Sequence, residues 1–485
     1  MAPIALFGSD GGASKLDFTK FSNVINGKLS STEKTRRGVN PATLEELYEV
    51  PVSTPADVDA AVEAGKTAFK SWKKTSHAER SKALQAFAEA IMENKTEFAK
   101  LLTKEQGKPL PMALNEIEGA YAWLTNFSKV ELAEEEISED ETKKTIVRYT
   151  PLGVVVGIVP WNFPISLSAI KIGPSVMTGN TVIIKPSPFT PYCNLKVVEL
   201  AQQFFPPGVV QVLSGDDHLG PWLTEHPGPA KISFTGSSAT GKKVMESAAK
   251  TLKRVTLELG GKDPAIVCDD VDVAQIAPKV AELAFLNSGQ ICLAIKRIYV
   301  HEKIYDEFLA AAVEHTKKLR LGNGTEDGVF LGPVQNKMQY ERVKGFFSDV
   351  EAQKMKVAVG GTNDRNDGYY ITPTIIDNPE ETSRIATEEP FGPIVPFMKW
   401  TDEDDVIARA NNTKMGLGAS VWSSDLDRAA RIARQLESGS VWVNTHLEID
   451  PNAPFGGHKE SGVGYELSAG GFKAFCNVQS LFLKK

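Results

Sequence analysis

The chain predicts an α/β protein of two Rossmann-like domains, each a mostly parallel sheet flanked by helices, with a cleft between them. Three observations carry this reading. From Gly153 to Val443, short apolar runs alternate with longer helix-like stretches, the pattern of parallel strands joined by crossover helices. The alternation pauses at the glycine turn Glu258-Leu259-Gly260-Gly261 and then starts again, which marks a hinge between two sheets. The length, 485 residues, exceeds the size at which one hydrophobic core keeps growing. Open sheets of this kind bind ligands outside the carboxyl ends of their strands, so function belongs there.

The elements follow in order. Residues 55–137 read as helical. Thr54 or Ser53 caps a first helix through Trp72, with Val58, Ala61, Val62, Phe69 and Trp72 as its apolar stripe. A second helix is expected over 78–104, and a third over 112–137 that ends in the acidic run Glu134-Glu135-Glu136. Thr145–Thr150 alternates like a strand with a polar outer face. Val154–Val159 is a buried strand, and a helix runs on to Met177. Strands are expected at Val182–Lys185, Val209–Leu213, Lys231–Phe234 and Val255–Glu258, with helices at 192–205 and after Gly236. A second series runs from Pro264-Ala265-Ile266-Val267 to Val441-Trp442-Val443.

Composition excludes several classes. Hydrophobic residues make up 42% and charged residues 24%, as in an ordinary globular protein. The net charge of −7 gives no basic field for nucleic acid or an anionic membrane surface. No apolar run approaches the roughly 18 residues of a membrane-spanning helix. Met1 to Lys20 holds only the short run Ile4-Ala5-Leu6-Phe7, so no secretory signal is expected. The ending Leu483-Lys484-Lys485 is not a peroxisomal signal. Four cysteines, at 193, 268, 292 and 476, match neither a disulfide framework nor metal-ligand spacing. A cytoplasmic protein without a metal is expected.

The chemistry starts at Cys292, in Phe285-Leu286-Asn287-Ser288-Gly289-Gln290-Ile291-Cys292, 34 positions after Glu258. A cysteine attacks carbonyls well once it is ionised, yet little of it is thiolate at neutral pH unless its site helps. The thioester it forms needs a base to activate water, and a carboxylate in a glycine-flanked turn suits that task. The seven histidines lie in no base motif, which argues against a cysteine protease. Gly236-Ser237-Ser238-Ala239-Thr240-Gly241-Lys242-Lys243 nearly spells a P-loop, but Lys243 replaces the hydroxyl that ligates Mg²⁺. Between a strand and a helix, that turn still offers backbone N–H groups to an anion. Ser237 as a plain helix cap is the competing reading.

Seven segments, in order, resemble the aldehyde dehydrogenase superfamily. Pro160-Trp161-Asn162-Phe163-Pro164 is similar to its oxyanion segment, Lys185-Pro186-Ser187 to its adenosine-ribose segment, and Phe234-Thr235-Gly236-Ser237 to its pyrophosphate turn. The stretches around Glu258 and Cys292 match its two active-site signatures. Glu389-Pro390-Phe391-Gly392-Pro393 resembles its nicotinamide-ribose clamp, and Pro454-Phe455-Gly456-Gly457 a late substrate-side loop.

The resemblance implies a cofactor domain over 1–130 and 151–260, a catalytic domain over 261–471, and a small β oligomerisation element from 131–150 and 472–485. It implies NAD as cofactor, with NADP possible, and a homodimer or homotetramer. Cys292 becomes the nucleophile, Asn162 and the Cys292 N–H the oxyanion donors, and Glu258 the base for deacylation. Val159, Pro160, Trp161, Lys185, Ser187, Pro188, Gly215, Gly236, Ser237, Leu259, Glu389 and Phe391 become cofactor-binding residues.

Two departures from the family pattern matter. Pro188 stands where many NAD-preferring members carry a ribose-binding glutamate, which makes a 2′-phosphate tolerable beside Lys185 and Ser187. Ala469 is aligned with a second glutamate found in some members, so Glu258 is expected to be the sole strong base. Phe163, Leu167, Leu286, Ile291, Leu293 and Phe455, with Trp123, form a mainly apolar substrate lining suited to a medium aliphatic or aromatic aldehyde. His446, Glu448 and Asp450 leave a betaine- or amino-aldehyde as the alternative. A CoA-acylating enzyme is disfavoured by Glu258, and a purely structural role by the intact Asn162, Glu258 and Cys292.

Overall fold

In the computed structural model, which describes residues 16–361 and 367–485, the alternation resolves into two large sheets. The run Ile4-Ala5-Leu6-Phe7 lies outside the described residues. At the centre of the first sheet run five parallel strands: Val154–Ile158, Thr181–Lys185, Val210–Val212, Lys231–Thr235 and Arg254–Glu258. Numbered along the chain, they lie in the order 3-2-1-4-5 across the sheet, the Rossmann arrangement. Val154–Ile158 and Thr181–Lys185 are buried at every position, as strands covered on both faces must be. Antiparallel strands close the two edges. Asn23–Ile25 pairs with Val210–Val212, and Gly462–Val463 pairs with Leu257 and Glu258. That last strand comes from the stretch assigned to the catalytic domain and closes the edge of the first sheet.

The second sheet also places its first parallel strand, Pro264–Val267, centrally, between Arg297–His301 and Gly418–Trp422. Thr374–Asp377, Ile394–Trp400 and Ser440–Val443 complete its parallel part, and Lys356–Val359 joins antiparallel at one edge. The α/β fold with two Rossmann-like sheets thus forms as expected.

The helices follow local rules. Pro55–Trp72 opens with a capping box, Thr54 and Asp57 satisfying each other's backbone N–H groups, and buries Val58, Ala61, Val62 and Trp72. Phe69, expected in the same stripe, is half-buried. The single helix expected over 78–104 is two, His77–Glu93 and Lys95–Gln106. They break at Asn94, whose side chain donates to Ala90 O at 2.8 Å. The third helix, Leu110–Phe127, stops earlier than expected. The acidic run belongs instead to an exposed strand, Glu135–Glu139. There Lys144 pairs with Glu136 and Glu139 at 2.6 and 2.9 Å, so cross-strand charge attraction holds what apolar burial does not. This strand, Lys143–Pro151 and Cys476–Lys484 form a separate three-stranded sheet.

Candidate active site

The predicted residues gather where the two sheets turn their carboxyl ends toward each other. Asn162 follows the first strand of the Rossmann set, Lys185 ends the second, Gly236 and Ser237 follow the fourth, and Glu258 ends the fifth. Cys292 arrives from the second sheet, on the irregular chain between the helix Val273–Phe285 and the strand Arg297–His301. Just before it, Asn287, Ser288 and Gly289 all adopt positive φ, 52°, 57° and 71°. Two successive non-glycine residues in this region store strain that surrounding bonds must offset. Ser288 Oγ donates to Gly332 O at 2.7 Å, Gln290 Nε2 to Asn287 O at 3.0 Å, and Gln335 N to Gln290 Oε1 at 2.8 Å.

Of the four cysteines, three are buried and Cys292 is half-buried. It packs against one hydrophobic cluster that also contains Ile291, Leu293 and Phe455, flanked by Phe163, Leu167, Leu286 and Trp123. The residues expected to line the substrate path belong to this large cluster or pack against it, as Cys292 does. Burial pushes the Cys292 thiol well above its ordinary value; the charge of Glu258 adds to this, and Lys296 opposes it. Glu258 is buried, Oε1 has no hydrogen-bond partner, and its carboxyl is pushed up to about 8. Burial is the main cause and the nearby Glu466 the second, while Lys171 and the Cys292 thiol, a hydrogen-bond partner, act the other way. A carboxyl so raised titrates near physiological pH, as a proton acceptor should.

Asn162 is buried, its Nδ2 donating to Gln290 O at 3.0 Å with a second N–H to spare. Its loop is anchored by a pair that the sequence did not single out. Lys108 Nζ donates to Asn162 O at 2.8 Å and to Glu116 Oε2 at 2.5 Å. Glu116 Oε1 accepts the N–H groups of Ile165 and Ser166, at 2.9 and 3.2 Å, capping the helix that follows.

The late segment does deliver a second carboxylate, that of Glu466, which is buried against Lys171 and accepts from Ser233 Oγ at 3.2 Å. Lys171 Nζ also donates to Thr235 Oγ1 at 2.8 Å. Glu258 therefore has an acidic neighbour and a cation behind it. A glycine-rich segment without periodicity gave no sign of which residue points inward.

Groups suited to a dinucleotide lie along the first sheet and on the loop before Ile394–Trp400. Ser237 caps the helix Ser238–Ala249 by accepting from Thr240 N at 3.3 Å, and the exposed helix N-terminus keeps backbone N–H groups of the kind that can meet an anion. Lys185 is buried at the next strand end but one, donates to Pro186 O at 3.1 Å and keeps further donors free; burial lowers it to about 8. Ser187 Oγ accepts from Phe189 N at 3.3 Å, Pro188 is half-buried, and Gly215 accepts Arg36 Nη1 at 3.3 Å. Trp161 and Phe391 meet edge to face at 5.2 Å, Pro160 is half-buried, and Val159 and Leu259 are buried. Glu389 Oε1 accepts from Gly261 N at 3.2 Å.

The polar loop groups are less engaged with the cleft. Glu448 Oε1 accepts from Thr445 Oγ1 at 2.6 Å, and Asp450 Oδ1 from Asn452 N at 2.8 Å. His446 is buried with Nε2 at 2.7 Å from Leu293 O, and burial pulls it down to about 3, so it stays neutral.

Comparison with known proteins agrees with this geometry. The sequence profile described as "Aldehyde dehydrogenase family" matches residues 29–481. Aldehyde dehydrogenase LUC3 of a Fusarium species is 43% identical over 472 residues, 97% of this chain and 100% of that one. An NADP-dependent enzyme of E. coli has a crystal structure that superposes with a TM-score of 0.94 at 34% identity, covering 96% of this chain and 99% of that one. Betaine aldehyde dehydrogenase of Staphylococcus aureus, crystallised with NAD+, superposes with a TM-score of 0.92 at 31% identity, covering 95% and 94%.

Proposed function

The chain belongs to the aldehyde dehydrogenase family, an NAD(P)-dependent enzyme that oxidises aldehydes, and from that premise we propose which of its residues carry the reaction. Cys292 is the nucleophile. One observation supports this most: the half-buried sulfur hydrogen-bonds to the Glu258 carboxyl, whose Oε1 has no other partner. Glu258, once ionised, takes the thiol proton, and the sulfur bonds to the aldehyde carbon. The carbonyl oxygen becomes negative, and the free N–H of Asn162 Nδ2 and the Cys292 N–H stabilise it, each such donor contributing about 3 to 4 kcal/mol. NAD(P)+, when bound, supplies the acceptor for the hydride that leaves this carbon. Residues from both domains would hold it in place: Ser237 and the helix behind it on the phosphates, Lys185 and Ser187 on the adenosine ribose, and Glu389 on the second ribose, with Trp161 and Phe391 packed beside it. Glu258 passes the thiol proton to solvent, and a water then attacks the acyl carbon while the regenerated carboxylate accepts its proton. The acid leaves, and the thiol recovers its proton.

The apolar wall around Cys292 selects a medium aliphatic or aromatic aldehyde. A quaternary ammonium needs free aromatic faces. Lys108 Nζ already covers the Phe163 ring at 3.8 Å, and Glu448 and Asp450 serve their own loop. NAD+ is the main cofactor, with some NADP+ use because Pro188 carries no charge to repel a 2′-phosphate. The three-stranded sheet, with Val478 63% and Phe482 76% exposed, is the surface for a homodimer or a dimer of dimers. Four free thiols fit a reducing cytoplasm.

The test is turnover of benzaldehyde, hexanal and betaine aldehyde with NAD+, with and without CoA. Benzaldehyde and hexanal should lead, giving free acid in both conditions. A lead for betaine aldehyde would overturn the substrate assignment, and acyl-CoA as product would overturn the hydrolytic role of Glu258.

A further inference from the structure

Behind the nucleophile lies a buried cation that the steps above do not use. The Lys296 side chain is 3% exposed. Its Nζ donates to the carbonyl of Cys292 at 2.5 Å and to Ala294 O at 3.4 Å, and it forms an ion pair with Glu389 Oε1 at 3.2 Å. The backbone N–H of Lys296 donates to Asp263 O at 2.9 Å, which fixes where the side chain starts. Glu389 is held from two sides. Oε1 takes Lys296 and the Gly261 N–H, and a Cβ on Gly260 would strike Oε2, so the carboxylate lies flat over the glycine turn. Oε2 has no hydrogen-bond partner among the described residues. One oxygen is thus anchored and the other is free for a ribose hydroxyl.

The charged groups that act on the Cys292 sulfur are Glu258 from the first sheet, Asp263 from the turn after it, Glu389 from its own loop, and Lys296. Glu466 and Lys171 stand behind Glu258. Of the four that act directly, only Lys296 favours the thiolate.

We propose that Lys296 is a positioning residue that joins the cofactor-ribose site to the nucleophile, holding Glu389 in its ribose-receiving orientation and pinning the main chain of Cys292 with the same ammonium. The inference rests on the roles assigned above to Glu389 and Cys292. A lysine here acts at two ends of one reaction: it sets how tightly the nicotinamide ribose is held, and it supplies the positive charge that eases loss of the thiol proton. Neither effect requires Lys296 to touch the aldehyde.

A double-mutant cycle on the full-length enzyme tests this, with Lys296→Met, Lys296→Arg, Glu389→Gln and Lys296→Met/Glu389→Gln. KM for NAD+ and for aldehyde is measured alongside the pH dependence of Cys292 alkylation by iodoacetamide, followed by mass. Lys296→Met should raise KM for NAD+ about tenfold, the worth of a charged hydrogen bond, and leave KM for aldehyde within about twofold. Its alkylation should reach half-maximal rate at a pH about one unit higher, as loss of a nearby opposite charge requires. Lys296→Arg should recover most of both effects, and in the Glu389→Gln background Lys296→Met should change KM for NAD+ little. Additive effects in the cycle, or an unchanged alkylation profile, would overturn the proposal. Should methionine prevent folding, Lys296→Gln, which keeps a donor but not the charge, is read by the same criteria. Cys292→Ser separates the two levels: if it still produces NADH, the nucleophile assignment falls, while the cycle reports on Lys296 and Glu389 regardless.

Discussion

Glu116 and Glu258 are both buried carboxyls, and the fold treats them in opposite ways. Glu116 receives Lys108 at 2.5 Å and two backbone N–H groups at 2.9 and 3.2 Å. Every oxygen is used, and the result is an anchor for the loop that carries Asn162. Glu258 receives no cation directly, keeps Oε1 without a partner, and has another acid, Glu466, close enough to raise it further. A saturated carboxylate makes a rigid joint; an unsaturated one makes a proton acceptor. Burial alone therefore says little about function, and the set of partners says much more.

The sharpest way to break this contrast is at the sulfur. Cys292→Ala should abolish NADH formation on every aldehyde, while the Glu116 anchor and the thermal transition stay intact. Next, Glu258→Gln should lower steady-state turnover by about 10² to 10⁴, the worth of a general base, and suppress the burst of NADH in rapid mixing, because both the thiol and the water give up their proton to it. A full burst would confine the base to the water step. Asn162→Ala should lower kcat by about 10² to 10³ with little change in KM for NAD+.

Stability should invert the ranking. Glu116→Ala strands the buried Lys108 ammonium and should cost about 3 to 5 kcal/mol in urea denaturation, whereas Glu258→Gln should cost little. Equal losses for the two variants would erase the distinction drawn here. The pH dependence gives the finest test. The base form of Glu258 accumulates as pH rises through about 8, so deacylation should speed up across that range. The folded value is raised, so the stability it contributes is present below the ordinary carboxyl range and is lost as pH climbs through about 8. Glu258→Gln should flatten both profiles.

The sequence made the strand-and-helix alternation legible because doubly covered strands are uniformly apolar, as at Val154–Ile158. It also made legible the residues at strand ends, since Asn162, Lys185, Ser237 and Glu258 sit in short motifs fixed by turn geometry. The strand at Glu135–Glu139 was hidden because all five residues are exposed and its pairing partner comes later in the chain. The break at Asn94 was hidden because helices on both sides continue nearly the same pattern. Lys108, Lys171 and Lys296 escaped notice for a common reason. A lysine that pairs with a distant acid inside a cleft looks, in sequence, like one bathed in solvent, and only the folded chain brings Glu116, Glu466 and Glu389 to them.

The two-residue strand Gly462–Val463 ties these elements together. It pairs with Leu257 and Glu258, Leu259 N donates to Ser461 O at 2.9 Å, and Ser461 Oγ bridges Gly260 O and Gly416 N at 2.6 and 2.9 Å. A thread returning from the second sheet is thus stitched onto the ribbon that holds the proton acceptor, and a few positions on it hands over the second acid. A protease nick between Val443 and Gly462 should silence turnover while the severed pieces still cling together and keep their circular dichroism. Chemistry would then unravel at this seam well ahead of architecture.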